Sequence, residues 1–184
     1  MKYCSRCGSS VVLGIPPGDD RPRYTCNSCG TIHYQNPRVV VGCIPTWEAK
    51  ILFCRRAIEP RYGNWTLPAG YLENGETAAE GARRETLEEA CAAVHQLVPY
   101  GLYNICYVNQ IYLMFRGRLA DLNFKPGPES LDVQLFAVEE IPWDDLAFPV
   151  IAKTLAHYIK DQSRSEFLFH MEDIERPGRP IFPA

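Results

Sequence analysis

Four of the eight cysteines form two C-x2-C pairs eighteen residues apart, Cys4/Cys7 and Cys26/Cys29. No other feature restricts the N-terminal fold so strongly. A tight turn within each pair can bring two sulfurs to about 2.3 Å from a common ion. Two such pairs about 15–20 residues apart have the spacing of a zinc site. Gly8 and Gly30 each follow a second cysteine, where a positive φ lets the chain turn around the metal. The intervening segment is too short to build a core without a staple. A redox C-x-x-C ordinarily comes singly beside a βαβ pattern, so the expectation is a structural Zn²⁺ held by Cys4, Cys7, Cys26 and Cys29. Four thiolates leave no open coordination position, so this zinc is not expected to be catalytic. Cys43, Cys54, Cys91 and Cys106 stand singly in apolar stretches and read as ordinary buried thiols.

Beyond residue 33 the chain alternates strand-like and helix-like segments. Arg38–Pro45 and Ile51–Arg56 are apolar, β-branched runs around a turn. Thr77 to about Ala92 is rich in alanine, glutamate and arginine and predicts a helix with a capped acidic start. Strands are expected over Gln96–Val108, Gln110–Leu119 and Val133–Val138, and an amphipathic helix over Ile151–Lys160. The tail from Glu175 carries Pro177, Pro180 and Pro183 and is expected to run extended. Strands mixed with a few helices imply an α/β or α+β sandwich. A net charge of −3 argues against a general nucleic-acid or membrane-surface binder. No apolar run approaches the roughly 20 residues that span a bilayer. The first residues, MKYCSRCG, show no apolar leader, which points to a cytoplasmic chain.

The acidic charge is concentrated in one place. Glu73–Glu89 holds six acids and two bases, a net −4 against −3 for the whole chain. On a helix advancing about 100° per residue, Glu85, Glu88 and Glu89 share one face over a single turn. They lie toward the helix C-terminus, where the macrodipole disfavours anions, and like charges at these spacings repel. Arg84 offsets only part of this. A solvated acidic face is one reading. The other is a site of hard oxygen ligands for Mg²⁺ or Mn²⁺, which would relieve the repulsion.

The run Gly70-x5-Glu76-x7-Arg84-Glu85-Thr86-Leu87-Glu88-Glu89 resembles the Nudix box, G-x5-E-x7-R-E-U-x-E-E-x-G-U, where U is apolar. Thr86 departs from the usual aliphatic residue and Cys91 from the final glycine, so an altered helix exit is expected, but not loss of activity. The resemblance implies a Nudix-type α/β/α sandwich with a mixed sheet over residues 37–162. A small Cys4 zinc ribbon at 1–33 would precede it, and an extension at 163–184 would follow. It further implies that Glu85, Glu88 and Glu89 bind catalytic Mg²⁺ or Mn²⁺, often with the Gly70 carbonyl, while Arg84 and Glu76 orient the helix. A later loop often adds an acid, for which Glu129 is the first candidate and Asp132 the reserve. The proton acceptor would be Glu88 or Glu129.

Nudix hydrolases cleave a nucleoside diphosphate linked to another group, so a small nucleotide substrate is implied. A zinc ribbon also precedes the NADH pyrophosphatases, but their S-Q-P-W-P-F-P-x-S stretch has no counterpart after the box here. Trp65-Thr-Leu-Pro-Ala-Gly-Tyr-Leu-Glu, Pro-Gly-Pro-Glu-Ser-Leu and Leu-Ala-Phe148-Pro look similar to the plant plastid-type FAD and ADP-ribose pyrophosphatases. FAD or ADP-ribose is therefore expected first and NADH second. Tyr103, Tyr107, Tyr112 and Phe148 could stack on a planar ring, or serve the core. Of Arg55 and Arg56, strand alternation allows one to face a phosphate, and Arg56 is the choice. Two alternatives stand beside the pyrophosphatase: an RNA-binding or adaptor protein using the fold as scaffold, and a hydrolase removing dinucleotide caps from RNA. The ribbon is expected to dock on the larger domain and favour a homodimer.

Overall fold

The computed structural model describes residues 1–176. The chain divides after Pro37 into two compact units. In the first, strands β1 (Val11–Gly14), β2 (Arg23–Cys26) and β3 (Ile32–His33) form a small antiparallel sheet in that order. Cys4, Pro16 and Cys26 are its only buried residues, so the unit has no hydrophobic core.

The second unit is built on a mixed sheet. Its strands are β4 (Arg38–Trp47), β5 (Lys50–Arg56), β6 (Trp65–Thr66), β7 (Ala69–Tyr71), β8 (Val94–Ile105), β9 (Gln110–Leu119), β10 (Ser130–Phe136) and β11 (His170–Asp173). Among the described residues the main order is β10-β5-β4-β9-β8-β11, with β6 beside β5 and β7 beside β4. The β4/β9 and β8/β11 pairs are parallel and the others antiparallel. β4 is buried continuously from Val40 to Pro45, as its unbroken apolar sequence requires when both faces of a strand are covered.

Helix α1 (Ala78–Ala90) covers one face through Ala82 against Val41 and Phe115. Helix α2 (Pro149–Arg164) covers the other through Val150, Ile151 and Leu155 against Ile44 and Met114. Val41 and Ile44 have opposite parity on β4, as do Phe115 and Met114 on β9, so the helices lie on opposite faces. The α/β/α sandwich is thus present. None of the helices among the described residues is long and apolar enough to cross a membrane.

Several boundaries differ from the sequence expectation. β8 stops at Ile105, and Cys106–Val108 forms a 3-10 turn that ends in the left-handed Asn109. β10 begins at Ser130 rather than Val133, and α2 runs from Pro149 to Arg164 rather than from Ile151 to Lys160. β6 and β7 are too short to show alternation in sequence. The stretch set apart as 163–184 supplies the end of α2 and all of β11, which joins the main sheet. The expected extended run of the tail falls mostly on residues 177–184, outside the described residues. Of the four single cysteines, Cys43 and Cys54 are buried, whereas Cys91 is half-buried and Cys106 exposed because each sits at the end of an element.

α1 begins on a reciprocal capping box in which Thr77 Oγ1 accepts from the Glu80 N–H and the Glu80 carboxylate accepts from the Thr77 N–H. It ends at Cys91, which adopts φ 47° and ψ 29° and donates its N–H to Leu87 O at 2.9 Å. The helix exit is therefore an ordinary left-handed cap in spite of its side chain, and the expected alteration is absent. A side chain in that region costs about 1–2 kcal/mol relative to glycine. Cys91→Gly is accordingly expected to stabilise the protein by about 1 kcal/mol, read as a rise of a few degrees in the melting temperature.

Candidate active site

In the N-terminal unit the four sulfurs of Cys4, Cys7, Cys26 and Cys29 all lie within 4.8 Å of one another. Cys4 Sγ and Cys29 Sγ are 3.7 Å apart, and Cys7 Sγ and Cys26 Sγ 3.5 Å. A tetrahedral ion with bonds of about 2.3 Å requires sulfurs roughly 3.8 Å apart, so the set fits Zn²⁺. The two pairs are built alike: Cys4 N–H donates to Ser9 O and Gly8 N–H to Cys4 O, while Cys26 N–H donates to Thr31 O and Gly30 N–H to Cys26 O. Gly8 and Gly30 take φ of +74° and +69°, as the spacing implies. The Thr31 hydroxyl and backbone hold the Cys29 thiol down to about 6, favouring the thiolate that a metal binds.

The second site lies where β7 meets α1. Arg84 is its organiser. Its guanidinium binds Glu76 through Nε at 3.0 Å and Nη2 at 2.8 Å, Glu85 through Nη1 at 2.7 Å, and Tyr71 O through Nη2 at 2.9 Å. This fork holds the Glu76 carboxyl at about 2, well below the carboxylate range. It also locks the β7 turn onto α1. Glu88 is different: its side chain is 59% exposed and, among the described residues, its carboxylate accepts only from Arg84, at 3.2 Å.

Glu85 and Glu89 point inward, each 8% exposed. Burial pushes the Glu85 carboxyl up against the pull of Arg84. Burial, followed by the charge of Glu85, pushes Glu89 up to about 8. Glu89 Oε2 is buried without a hydrogen-bond partner among the described residues, a costly arrangement for a carboxylate. Gly70 lies against Glu85: a Cβ there would sit 2.3 Å from Oε2, so only glycine admits the carboxylate so close to the β7 backbone. Buried hard oxygens of like charge, one of them orphaned, fit a divalent cation of the Mg²⁺ or Mn²⁺ type.

Glu129 joins them through a loop whose position the sequence leaves open. Lys125 N–H donates to Ala90 O and Gly127 N–H to Glu89 O, both at 3.0 Å, closing carbonyls that the end of α1 leaves unpaired. Ala57 N–H donates to Glu129 O at 2.8 Å, tying the loop to β5. The charge of Glu129 bears on both Glu85 and Glu89. A Cβ on Gly127 would meet Glu88 O at 1.7 Å, so the loop seats only with glycine. Gly127→Ala is expected to destabilise by about 2–4 kcal/mol in urea melts. Because the shift displaces Glu129, metal-dependent turnover is expected to fall as well. Asp132 instead accepts from Val133 N–H and Gln134 Nε2 and does not line the cleft.

These acids close one end of a cleft of about 850 Å³ whose lining includes Gly70, Glu85, Glu89 and Glu129. Arg56, Tyr107, Tyr112 and Phe148 line it too, with the Arg56 guanidinium 5.1 Å from the Phe148 ring centroid. Arg55 faces away and donates to Gly63 O, as alternation requires. Tyr103 is fully buried against α2, with its hydroxyl 3.1 Å from His157 Nδ1, and is a core residue. Sequence reasoning missed Tyr71, Gln110, Ile174 and Arg176, which also line the cleft. Tyr71 adjoins Gly70 and was findable from the motif, whereas Ile174 and Arg176 lie far past the box, beyond the second helix.

Residues 36–158 match the NUDIX domain family, and residues 2–35 match the zinc ribbon described as Nudix N-terminal. The chain belongs to the Nudix hydrolase family. A NUDIX hydrolase from Nitrosomonas europaea has a crystal structure similar over 96% of this chain and 100% of its own, at 52% identity and a TM-score of 0.92. A NAD-capped RNA hydrolase NudC from Vibrio cholerae is 28% identical over 170 residues, 89% of this chain and 61% of the relative. The chain thus spans about three fifths of the length of the curated relatives it matches. An ADP-ribose pyrophosphatase from Streptococcus suis, at 18% identity and a TM-score of 0.61, shares the Nudix fold over 74% of this chain.

Proposed function

We propose that this Nudix protein is a metal-dependent pyrophosphatase that splits an ADP-containing dinucleotide into AMP and phospho-X. The observation that carries the reading is the buried carboxylate of Glu89 beside Glu85, with its Oε2 unpartnered among the described residues, at the acidic end of an aromatic-walled cleft. Glu85, Glu89, Glu88 and the Gly70 carbonyl are assigned to hold Mg²⁺ or Mn²⁺, with Glu129 beside them; the four cysteines are assigned to hold structural Zn²⁺. When bound, the divalent cation neutralises diphosphate charge and polarises a water for in-line attack. Glu129 accepts that water's proton as its oxygen bonds to phosphorus and the bridging P–O bond breaks. Arg84 keeps the acids in place, and Arg56 offers its guanidinium to a phosphate oxygen. Tyr107 and Phe148 give a planar ring two aromatic surfaces to stack on.

FAD and ADP-ribose remain the first substrates on the flanking sequence similarity. A second reading, NAD(H) or a NAD cap on RNA, is favoured by the relatives named NAD-capped RNA hydrolase, which removes the net-charge argument against nucleic acid as a partner. The test is a product assay on the full chain with its ribbon zinc retained. Mg²⁺ or Mn²⁺ is added with FAD, ADP-ribose, NADH, a NAD-capped transcript and a nucleoside triphosphate in separate reactions. AMP with FMN or ribose phosphate is expected, falling at least a hundredfold in Glu88→Gln. Preferential release from the capped transcript selects the second reading. No turnover of any substrate overturns the pyrophosphatase and leaves the RNA-binding or adaptor alternative.

A further inference from the structure

The chain beyond α2 is not idle. Leaving the helix at Ser165, it pairs His170–Asp173 in parallel with Gly101–Asn104 of β8. Three groups converge on the buried carboxylate of Asp161: Tyr100 Oη at 3.0 Å, His170 Nε2 at 2.7 Å and Leu168 N–H at 3.2 Å. The His170 ring stacks on His157, with centroids 4.1 Å apart, and Lys153 Nζ pairs with Glu172 at 2.6 Å. Asn104 Nδ2 then binds Asp173 Oδ1 at 2.8 Å, and Ile174 N–H donates to Asn104 O at 2.8 Å. The segment is therefore tied to α2 or β8 at Leu168, His170, Glu172, Asp173 and Ile174, and the ties deliver Ile174 and Arg176 to the wall of the active-site cleft. Ile174 is buried there among the residues that pack on α2.

We propose that this strap is a substrate-binding wall, with Ile174 bounding the space for a planar ring and Arg176 binding the anionic phosphate portion of the nucleotide. The inference rests on the cleft being the dinucleotide site. A wall built from a separate strand separates binding from chemistry, since Arg176 belongs to neither α1 nor the loop that carries Glu129. Asp161 and His170 are positioning residues, acting only through the path of the strap.

The test compares wild type, Arg176→Ala, Arg176→Lys and His170→Ala in steady-state hydrolysis of the best dinucleotide found. Arg176→Ala is expected to lower kcat/KM about 10–30-fold through KM, with Arg176→Lys recovering part of the loss. His170→Ala is expected to raise KM in the same direction while sparing kcat. Unchanged KM in Arg176→Ala, or a fall confined to kcat, overturns the wall. If the wild type turns over no dinucleotide, the proposed function fails separately, and calorimetry with ADP-ribose as the probe decides the wall. Weaker binding by Arg176→Ala than by wild type then sustains it, whereas equal binding, or none by either, overturns it.

Discussion

Glu89→Gln is expected to cost at least a thousandfold in turnover and yet to make the protein more stable in the absence of added divalent cation. The two effects have one origin. Glu89 is a buried carboxylate with one oxygen unpartnered and Glu85 as a charged neighbour, and its pKa is raised from the usual 4.5 to about 8. The folded state retains this proton up to about pH 8, while the unfolded chain loses it near pH 4.5. Folding therefore takes up a proton across that window, and stability falls as pH rises through it. Glutamine preserves the volume and removes the linkage. At pH 7–8 the variant is expected to gain about 3–4 kcal/mol, and the gain should shrink toward zero as pH approaches 4.5.

Adding Mg²⁺ or Mn²⁺ is expected to reverse the ranking. The cation is expected to stabilise the wild type by mass action and to leave the variant nearly unmoved. Loss of several kcal/mol of charge stabilisation at the reacting phosphate corresponds to the expected thousandfold fall. Thermal melts from pH 5 to 8, with and without added cation and with ribbon zinc retained, measure the stability half, and single-substrate kinetics the other. A variant less stable than wild type at pH 8 without cation would show that Glu89 is not strained as described.

Removal of zinc is expected to unfold the N-terminal unit while the larger unit stays folded. Among the first 37 residues the buried side chains are those of Pro16 and two of the four cysteines, so the sheet β1-β2-β3 has no apolar burial to oppose its chain entropy. Structural zinc supplies about 10–16 kcal/mol in small Cys-ligated units, and without it they are unfolded. The clusters of the larger unit draw only on residues from Val39 onward and contain no cysteine ligand. Cys26→Ser, or a strong chelator at neutral pH, should therefore collapse the amide dispersion of residues 1–37 in heteronuclear NMR spectra. Amides of β4, β8 and β9 should hold. Metal analysis should return one zinc per chain, and chelation should expose four additional thiols. A ribbon that stays dispersed without zinc would contradict the argument.

Much of the chemistry was legible because it depends on local spacing. Two C-x2-C turns bring four sulfurs within reach of one another, and acids three and four residues apart share one helix turn whatever surrounds them. Alternation on β5 likewise separated Arg56, which lines the cleft, from Arg55, which does not. The aromatic residues were less legible, because Tyr103 and Tyr107 look alike in sequence and only their neighbours differ. Tyr103 lies buried under α2, while Tyr107 stands 41% exposed at the cleft.

The sequence by itself determined the metal-stapled unit, the acidic helix with its ordering arginine, and the layered fold that an unbroken apolar β4 demands. Only the tertiary structure decided which acids are desolvated. Glu88 and Glu89 are adjacent in the chain, yet one reaches solvent and the other is sealed against β7 and the loop that caps α1. It also decided that Glu129 joins them, through backbone bonds to the helix end, and that the strap beyond α2 completes the cleft through parallel pairing with β8. Helical periodicity fixes directions within one element, but burial, and with it the energy of a charge, depends on what the rest of the chain lays over that element.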